Sequence, residues 1–178
     1  MSIAPGDLVF CHSKGLVGRA IRLGERLRFR SGDFYNHVGI IWHATITGRD
    51  WWVIEAEARG VKMGLLSAIA PGGSYEVVSV PGADQARVVA FARDQIGYEY
   101  GYLTIVSIAA RILLPRWFPL PTLRMRSTWI CSALAGEAAR FGGWLHNWSS
   151  IYQVVPSELY AALHDIPVRS VADHMKEH

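Results

Sequence analysis

Cys131 is the residue best placed for nucleophilic chemistry. It stands in Ser127-Thr128-Trp129-Ile130-Cys131-Ser132-Ala133-Leu134, at or just inside the start of a predicted helix. Backbone N–H groups at a helix start lack intrahelical partners, and together with the helix dipole they favour an anion, so this position favours thiolate over thiol. A thiolate that is to transfer an acyl group needs an imidazole nearby to store and return the proton. The competing reading is a buried cysteine that acts as a small hydrophobe. The second thiol, Cys11, ends an apolar run with no helix start beside it, and a packed cysteine is the expectation there.

His37 is the candidate imidazole. It opens the apolar run His37-Val38-Gly39-Ile40-Ile41-Trp42 directly after Phe34-Tyr35-Asn36, which places it at a strand end near the sheet margin. A second β-rich run, Trp51-Trp52-Val53-Ile54-Glu55-Ala56, follows the loop residues Thr45-Ile46-Thr47-Gly48-Arg49-Asp50. The two runs read as an antiparallel hairpin. With the turn near Ile46 or Thr47, His37 lies across from the stretch Glu55 to Glu57. A carboxylate there would hold one ring nitrogen and leave the other for Cys131, the orienting role of the third group in a nucleophile triad. Glu55 and Glu57 share one face by strand alternation, so alternation leaves both open.

The elements that must carry these groups follow from the same pattern. Asp7-Leu8-Val9-Phe10-Cys11 reads as a strand after the turn residues Pro5-Gly6, and Leu16 to Phe29 as a helix broken by Ser31-Gly32-Asp33. Further strands fit Gly60 to Met63 and Tyr75 to Val80. Asp84 to Ile96 reads as a helix with Asp84 near its start and Gly97 at its stop. Leu103 to Leu114 is a second apolar helix halted by Pro115. Ser127 or Thr128 is the expected cap of the helix through Cys131, Leu134, Ala138 and Phe141, closed by Gly142-Gly143. Pro156-Ser157-Glu158-Leu159 reads as a capped helix start with a packing role. The class is α+β with a small, mostly antiparallel sheet.

Composition narrows the classes further. The 178 residues fit one domain spanning 1–178, and 51% hydrophobic against 19% charged residues excludes a disordered chain. Seven Trp, seven Tyr and six Phe exceed what one core of this size needs, which hints at a groove or partner surface. A formal charge of +3 gives no reason to expect nucleic acid. Five arginines and one glutamate between Arg19 and Arg30 make that segment locally basic, with Arg19, Arg22 and Arg26 on one helix face. A solvated face is the plain reading, and attraction to an anionic polymer or membrane surface the sharper one. The seven histidines are scattered without ligand spacing, so neither a metal nor another cofactor is expected. The N-terminus carries no signal-peptide pattern, and the longest apolar run, Leu103 to Leu114, falls short of the about 20 residues that span a bilayer.

The ordered set Gly6-Asp7-Leu8-Val9-Phe10, Asn36-His37-Val38-Gly39-Ile40, Val53-Ile54-Glu55-Ala56, Ile96-Gly97-Tyr98-Glu99-Tyr100 and Trp129-Ile130-Cys131-Ser132 resembles the circularly permuted papain-like cysteine peptidases and amidases of the NlpC type, YiiX-like members included. Lecithin retinol acyltransferase-like proteins form a related branch. As in that group, the histidine precedes the cysteine. The resemblance covers most of residues 5–141. It implies Cys131 as nucleophile, His37 as base and a polar orienter best matched by Glu55. It also implies a five- or six-stranded barrel-like sheet with the cysteine helix packed on it. Tyr98 and Tyr100 fall where the family has a tyrosine motif, and with Trp129 they are the expected substrate contacts. The segment at about 103–126 departs from the pattern as an apolar, Pro- and Arg-containing insertion.

The expected function is therefore a cysteine hydrolase of amide bonds that works through a thioester, with bacterial cell-wall peptides as the substrate that the resemblance implies. A lipid amide or ester hydrolase or acyltransferase is the alternative, and a non-catalytic peptidoglycan- or lipid-binding module the second. With no signal peptide seen, the expected location is cytoplasmic, or delivery by a phage or secretion particle.

Overall fold

The computed structural model describes residues 3–12, 35–101, 128–146, 148 and 151–167. The expected helix from Leu16 to Phe29 with Arg19, Arg22 and Arg26, the segment 103–126 and the end of the chain beyond 167 lie outside the described residues.

Five strands form one antiparallel sheet: β1 (Leu8–Cys11), β2 (His37–Ala44), β3 (Trp51–Glu57), β4 (Gly60–Leu65) and β5 (Tyr75–Val78), in the order β4-β3-β2-β1-β5. All but β4 are rich in β-branched or aromatic residues, as a half-buried pleated surface favours. The first strand is central, and its start is held by Asp7. That buried carboxylate accepts hydrogen bonds from the Ala4 N–H at 2.8 Å, the Ser79 hydroxyl at 2.7 Å and the Gln85 side-chain amide at 3.0 Å. Gly6 precedes it with φ of 91°, and a Cβ there would stand 2.6 Å from the Gln85 Cβ. The Gly-Asp pair is thus a structural clasp: glycine for the left-handed backbone and close approach, aspartate for three donors.

The hairpin of β2 and β3 closes through the Thr45 N–H on the Asp50 carbonyl at 2.8 Å. Its register shifts between Ile41 and His43: Ile41 pairs with Val53 and His43 with Trp52. Trp42 is the extra residue of this bulge, and every pair from Ile41 toward His37 is offset by one residue from a plain count off the turn. Glu55 therefore comes to lie opposite Gly39.

Alternation then sorts the two faces. Leu8, Phe10, Val38, Ile40, Ile54 and Ala56 belong to the main core, while Val9, Cys11, Ile41 and Val53 pack with Leu66 and Ala70. A short helix, α1 (Leu66–Ile69), supplies that second cluster. Helix α2 (Gln85–Asp94) starts as expected from Asp84, whose carboxylate accepts the Arg87 N–H.

Two-residue strands β6 (Glu99–Tyr100) and β7 (Thr128–Trp129) pair in parallel, and β7 leads into α3 (Cys131–Phe141). Thr128 does not cap this helix. Its backbone is paired in register with Glu99, and the N-cap is Ile130, which has no side chain able to accept a hydrogen bond. The helix instead begins at Cys131 itself. It ends at Gly142, and its alanine-rich sequence lets it lie close against α2, β2 and β3. Helix α4 (Pro156–Leu163) follows, with proline in its first turn and the Glu158 carboxylate accepting the Val155 N–H at 3.0 Å. Leu159 and Tyr160 are fully buried, and the Tyr160 ring meets Phe10 edge-on at 5.3 Å. No helix among the described residues is long and apolar enough to cross a membrane.

Candidate active site

The hairpin brings His37 and Glu55 together. His37 is the first residue of β2 and Glu55 the fifth of β3, and both are buried. His37 Nε2 lies 2.6 Å from Glu55 Oε2. Two glycines make space for this contact. Gly39, opposite Glu55, carries no side chain between the two groups, and a Cβ there would strike Val53 Cγ1 at 2.5 Å. A Cβ at Gly64 would stand 3.1 Å from Glu55 Oε1 and 3.2 Å from Ile69 Cδ1.

Cys131 comes from the other side. It is the first residue of α3, is 2% exposed and is hydrogen-bonded to the His37 ring. With Nε2 engaged by Glu55, the nitrogen left for the sulfur is Nδ1. The start of α3 is pinned by the Ser132 hydroxyl, which donates to the Val154 carbonyl at 2.6 Å. The first bond within the helix runs from the Leu134 N–H to the Ile130 carbonyl at 3.0 Å, so the N–H of Cys131 precedes the helical ladder.

Electrostatics follow from the same neighbours. Burial alone pulls the His37 imidazole toward its neutral form. Hydrogen bonds to Cys131 and Glu55, with the charges of both, outweigh that pull and hold the ring well above the ordinary histidine value of 6.5. Cys11 is the Cα partner of His37 across β1 and β2. Burial pushes its thiol up to about 11, eased by His37 and reinforced by Glu55 and Cys131. It borders the site as a packed, protonated thiol.

The remaining sequence candidates separate. Glu57 turns to Lys62, whose ammonium lies 2.5 Å from its carboxylate. Tyr98 is exposed, and its backbone carbonyl accepts the Val61 N–H. Tyr100 and Trp129 are buried. The Trp129 indole N–H donates to Gln95 at 3.1 Å, and its ring packs between Phe91 and Tyr152. The sequence reading missed Lys62, which faces Glu55 in register on β4 and reaches Oε1 at 3.8 Å. Its signal was there: with Gly60 opening the strand, alternation puts residue 62 on one face with residue 64, but which face depends on pairing with β3.

Residues 2–107, more than half of the 178, match the family described as permuted papain-like amidase enzymes of the YaeF/YiiX type, peptidase family C92. The chain belongs to this family. The matched span contains His37 and Glu55 and stops short of Cys131, so it is the geometry above that brings the thiol to His37. No curated protein sequence matches the chain. Among solved structures, it is similar to the metalloprotein YiiX of Escherichia coli O157:H7, with a TM-score of 0.60 at 17% identity over 91% of this chain and 94% of that one. The fold is thus the mixed α and β papain-like fold of that family, and the activity class is that of a cysteine hydrolase. YiiX is titled a metalloprotein. Among the described residues of the present chain, no three His, Cys, Asp or Glu side chains gather as a metal-ligand group.

Proposed function

We propose that Cys131, His37 and Glu55 form the catalytic centre of an amide-bond hydrolase whose substrates are peptides of the bacterial cell wall. The observation that carries this reading is one imidazole with two partners: Glu55 at 2.6 Å on Nε2, and the Cys131 side chain hydrogen-bonded to the same ring.

The imidazole takes the thiol proton, and the sulfur attacks the amide carbon, forming the C–S bond as the carbonyl π electrons move to oxygen. The Cys131 backbone N–H, ahead of the helical ladder, donates to that oxyanion. His37 then passes its proton to the departing amine nitrogen as the C–N bond breaks, leaving a thioester on Cys131. A water attacks the thioester, gives its proton to His37, and the thiol is restored by the same proton. Glu55 keeps the ring oriented throughout and stabilises the imidazolium. The exposed phenol of Tyr98 is a substrate contact in this scheme. A wall substrate also requires that the enzyme meet the wall, by delivery with a phage or secretion particle or by release through a partner.

The test is the iodoacetamide alkylation rate of each cysteine from about pH 5 to about pH 9, resolved by mass spectrometry, in the wild type and in His37→Ala. Cys131 is expected to react fast at low pH and to lose that advantage with the histidine. A Cys131 that reacts alike in both proteins ends the enzyme reading and favours a binding module. A substrate panel then separates cell-wall peptide stems from acylated amino acids. Turnover of the acylated compounds alone would replace the peptidase with a lipid amidase or acyltransferase.

A further inference from the structure

Glu55 presents two carboxylate oxygens to two different partners, and the second has a consequence for the site. Oε2 faces His37 at 2.6 Å. Oε1 has the Lys62 ammonium at 3.8 Å, and among the described residues Lys62 is the one Lys or Arg side chain in ion-pair range of it. The placement is built in by register, since Glu55 and Lys62 are Cα partners across β3 and β4. Lys62 is itself held on its far side, where its ammonium lies 2.5 Å from Glu57 Oε1. The order across the sheet is therefore Glu57, Lys62, Glu55, His37, Cys131.

Each link answers a physical requirement. A carboxylate that is 3% exposed needs compensation for lost water, and one hydrogen bond from an imidazole leaves its second oxygen unserved. Glu55 and Glu57 lie two residues apart on one strand face, so their charges repel unless a cation stands between them. At 3.8 Å the ammonium acts on Glu55 through charge, and its short contact is spent on Glu57. The Cβ-free position at Gly64 leaves the path to Oε1 open.

We infer that Lys62 is a positioning residue of this site, its ammonium anchored by Glu57 so that it holds the Glu55 carboxylate with Oε2 turned to His37. The inference rests on the catalytic reading of Cys131, His37 and Glu55, and it gives Glu57 a role as the anchor of Lys62. The titratable and charged groups that face the pair from the described elements are Cys11 on β1, Cys131 on α3, Glu57 on β3 and Lys62 on β4.

The pH profile of Cys131 alkylation tests it without needing a substrate. Removing a cation beside the site disfavours every deprotonated form there, so Lys62→Met should move the profile toward higher pH and slow the reaction near pH 6 by about threefold. Lys62→Arg should keep the wild-type profile. The difference between wild type and Lys62→Met should shrink as ionic strength rises from about 0.01 M to about 1 M. Lys62 is 43% exposed, and the Arg variant keeps both its charge and its reach, so folding does not confound the series. A Lys62→Met profile that overlays the wild type, while His37→Ala abolishes fast alkylation, would overturn the inference and leave the triad standing. A flat response to His37→Ala would remove both.

Discussion

His37 keeps its proton against the pull of its own burial, because Cys131 and Glu55 together outweigh desolvation. Two pH effects follow. A base whose folded-state pKa is raised stabilises the fold fully below its unfolded value near 6.5, and that contribution is lost as pH rises through the folded value. Activity carried by the imidazolium should fall on the alkaline side at the same raised value. Glu55→Gln removes one of the two supports, so the alkaline limb of kcat/KM should move to lower pH, read from a pH series on any turned-over peptide. His37→Ala should lower kcat/KM by about 10²–10⁴, with Cys131→Ala inactive and Glu55→Gln losing less than His37→Ala. The residue pair was legible in the sequence as types and order. Strand alternation left Glu55 and Glu57 both open because they project from one face; the motif resemblance favoured Glu55, which lies 2.6 Å from His37.

At the scale of elements, the bulge at Trp42 sets the site. A plain hairpin count from the turn would put Glu55 opposite Ile40, whose side chain faces the main core. The extra residue slips the register by one and sets Glu55 opposite Gly39, on the face that carries His37 and Cys11. No residue type announces such a bulge, which is why the strands and their hairpin pairing were legible and the exact register was not. Strand β7 is a second case: Thr128 looked like a cap by type, but pairing with Glu99 keeps its backbone extended and moves the helix start to Cys131 itself. The close packing at Gly39 gives a direct check. Gly39→Ala puts a methyl 2.5 Å from Val53 Cγ1 and should destabilise by about 1–3 kcal/mol. Urea unfolding would show this as a lower midpoint with an unchanged slope.

Across the whole molecule, the antiparallel sheet was readable from the strand-like runs and the order of motifs pointed to His37 ahead of Cys131, while the second apolar cluster on the far face of the sheet was not foreseen. What composition could not give is the way α4 closes the structure. Its Leu159 and Tyr160 bury completely against the main core, and Tyr160 sits on the first strand's Phe10 while its hydroxyl donates to Glu76 on β5. Leu159→Ala should therefore cost about 2–5 kcal/mol, measured by thermal or urea unfolding. Cys131 alkylation should keep its pH profile in that variant under conditions where it remains folded, since Leu159 is not among the groups that meet the sulfur or the imidazole.

The first strand is a central strand, flanked by β2 and β5, and the nucleophile arrives only after both. In order of synthesis, the strands that carry His37 and Glu55 precede the helix that carries Cys131. A chain that stops before residue 128 has His37 and Glu55 but lacks Cys131, and its one thiol is Cys11. In the proposed scheme such a chain has no nucleophile, so amide hydrolysis depends on synthesis having passed Cys131.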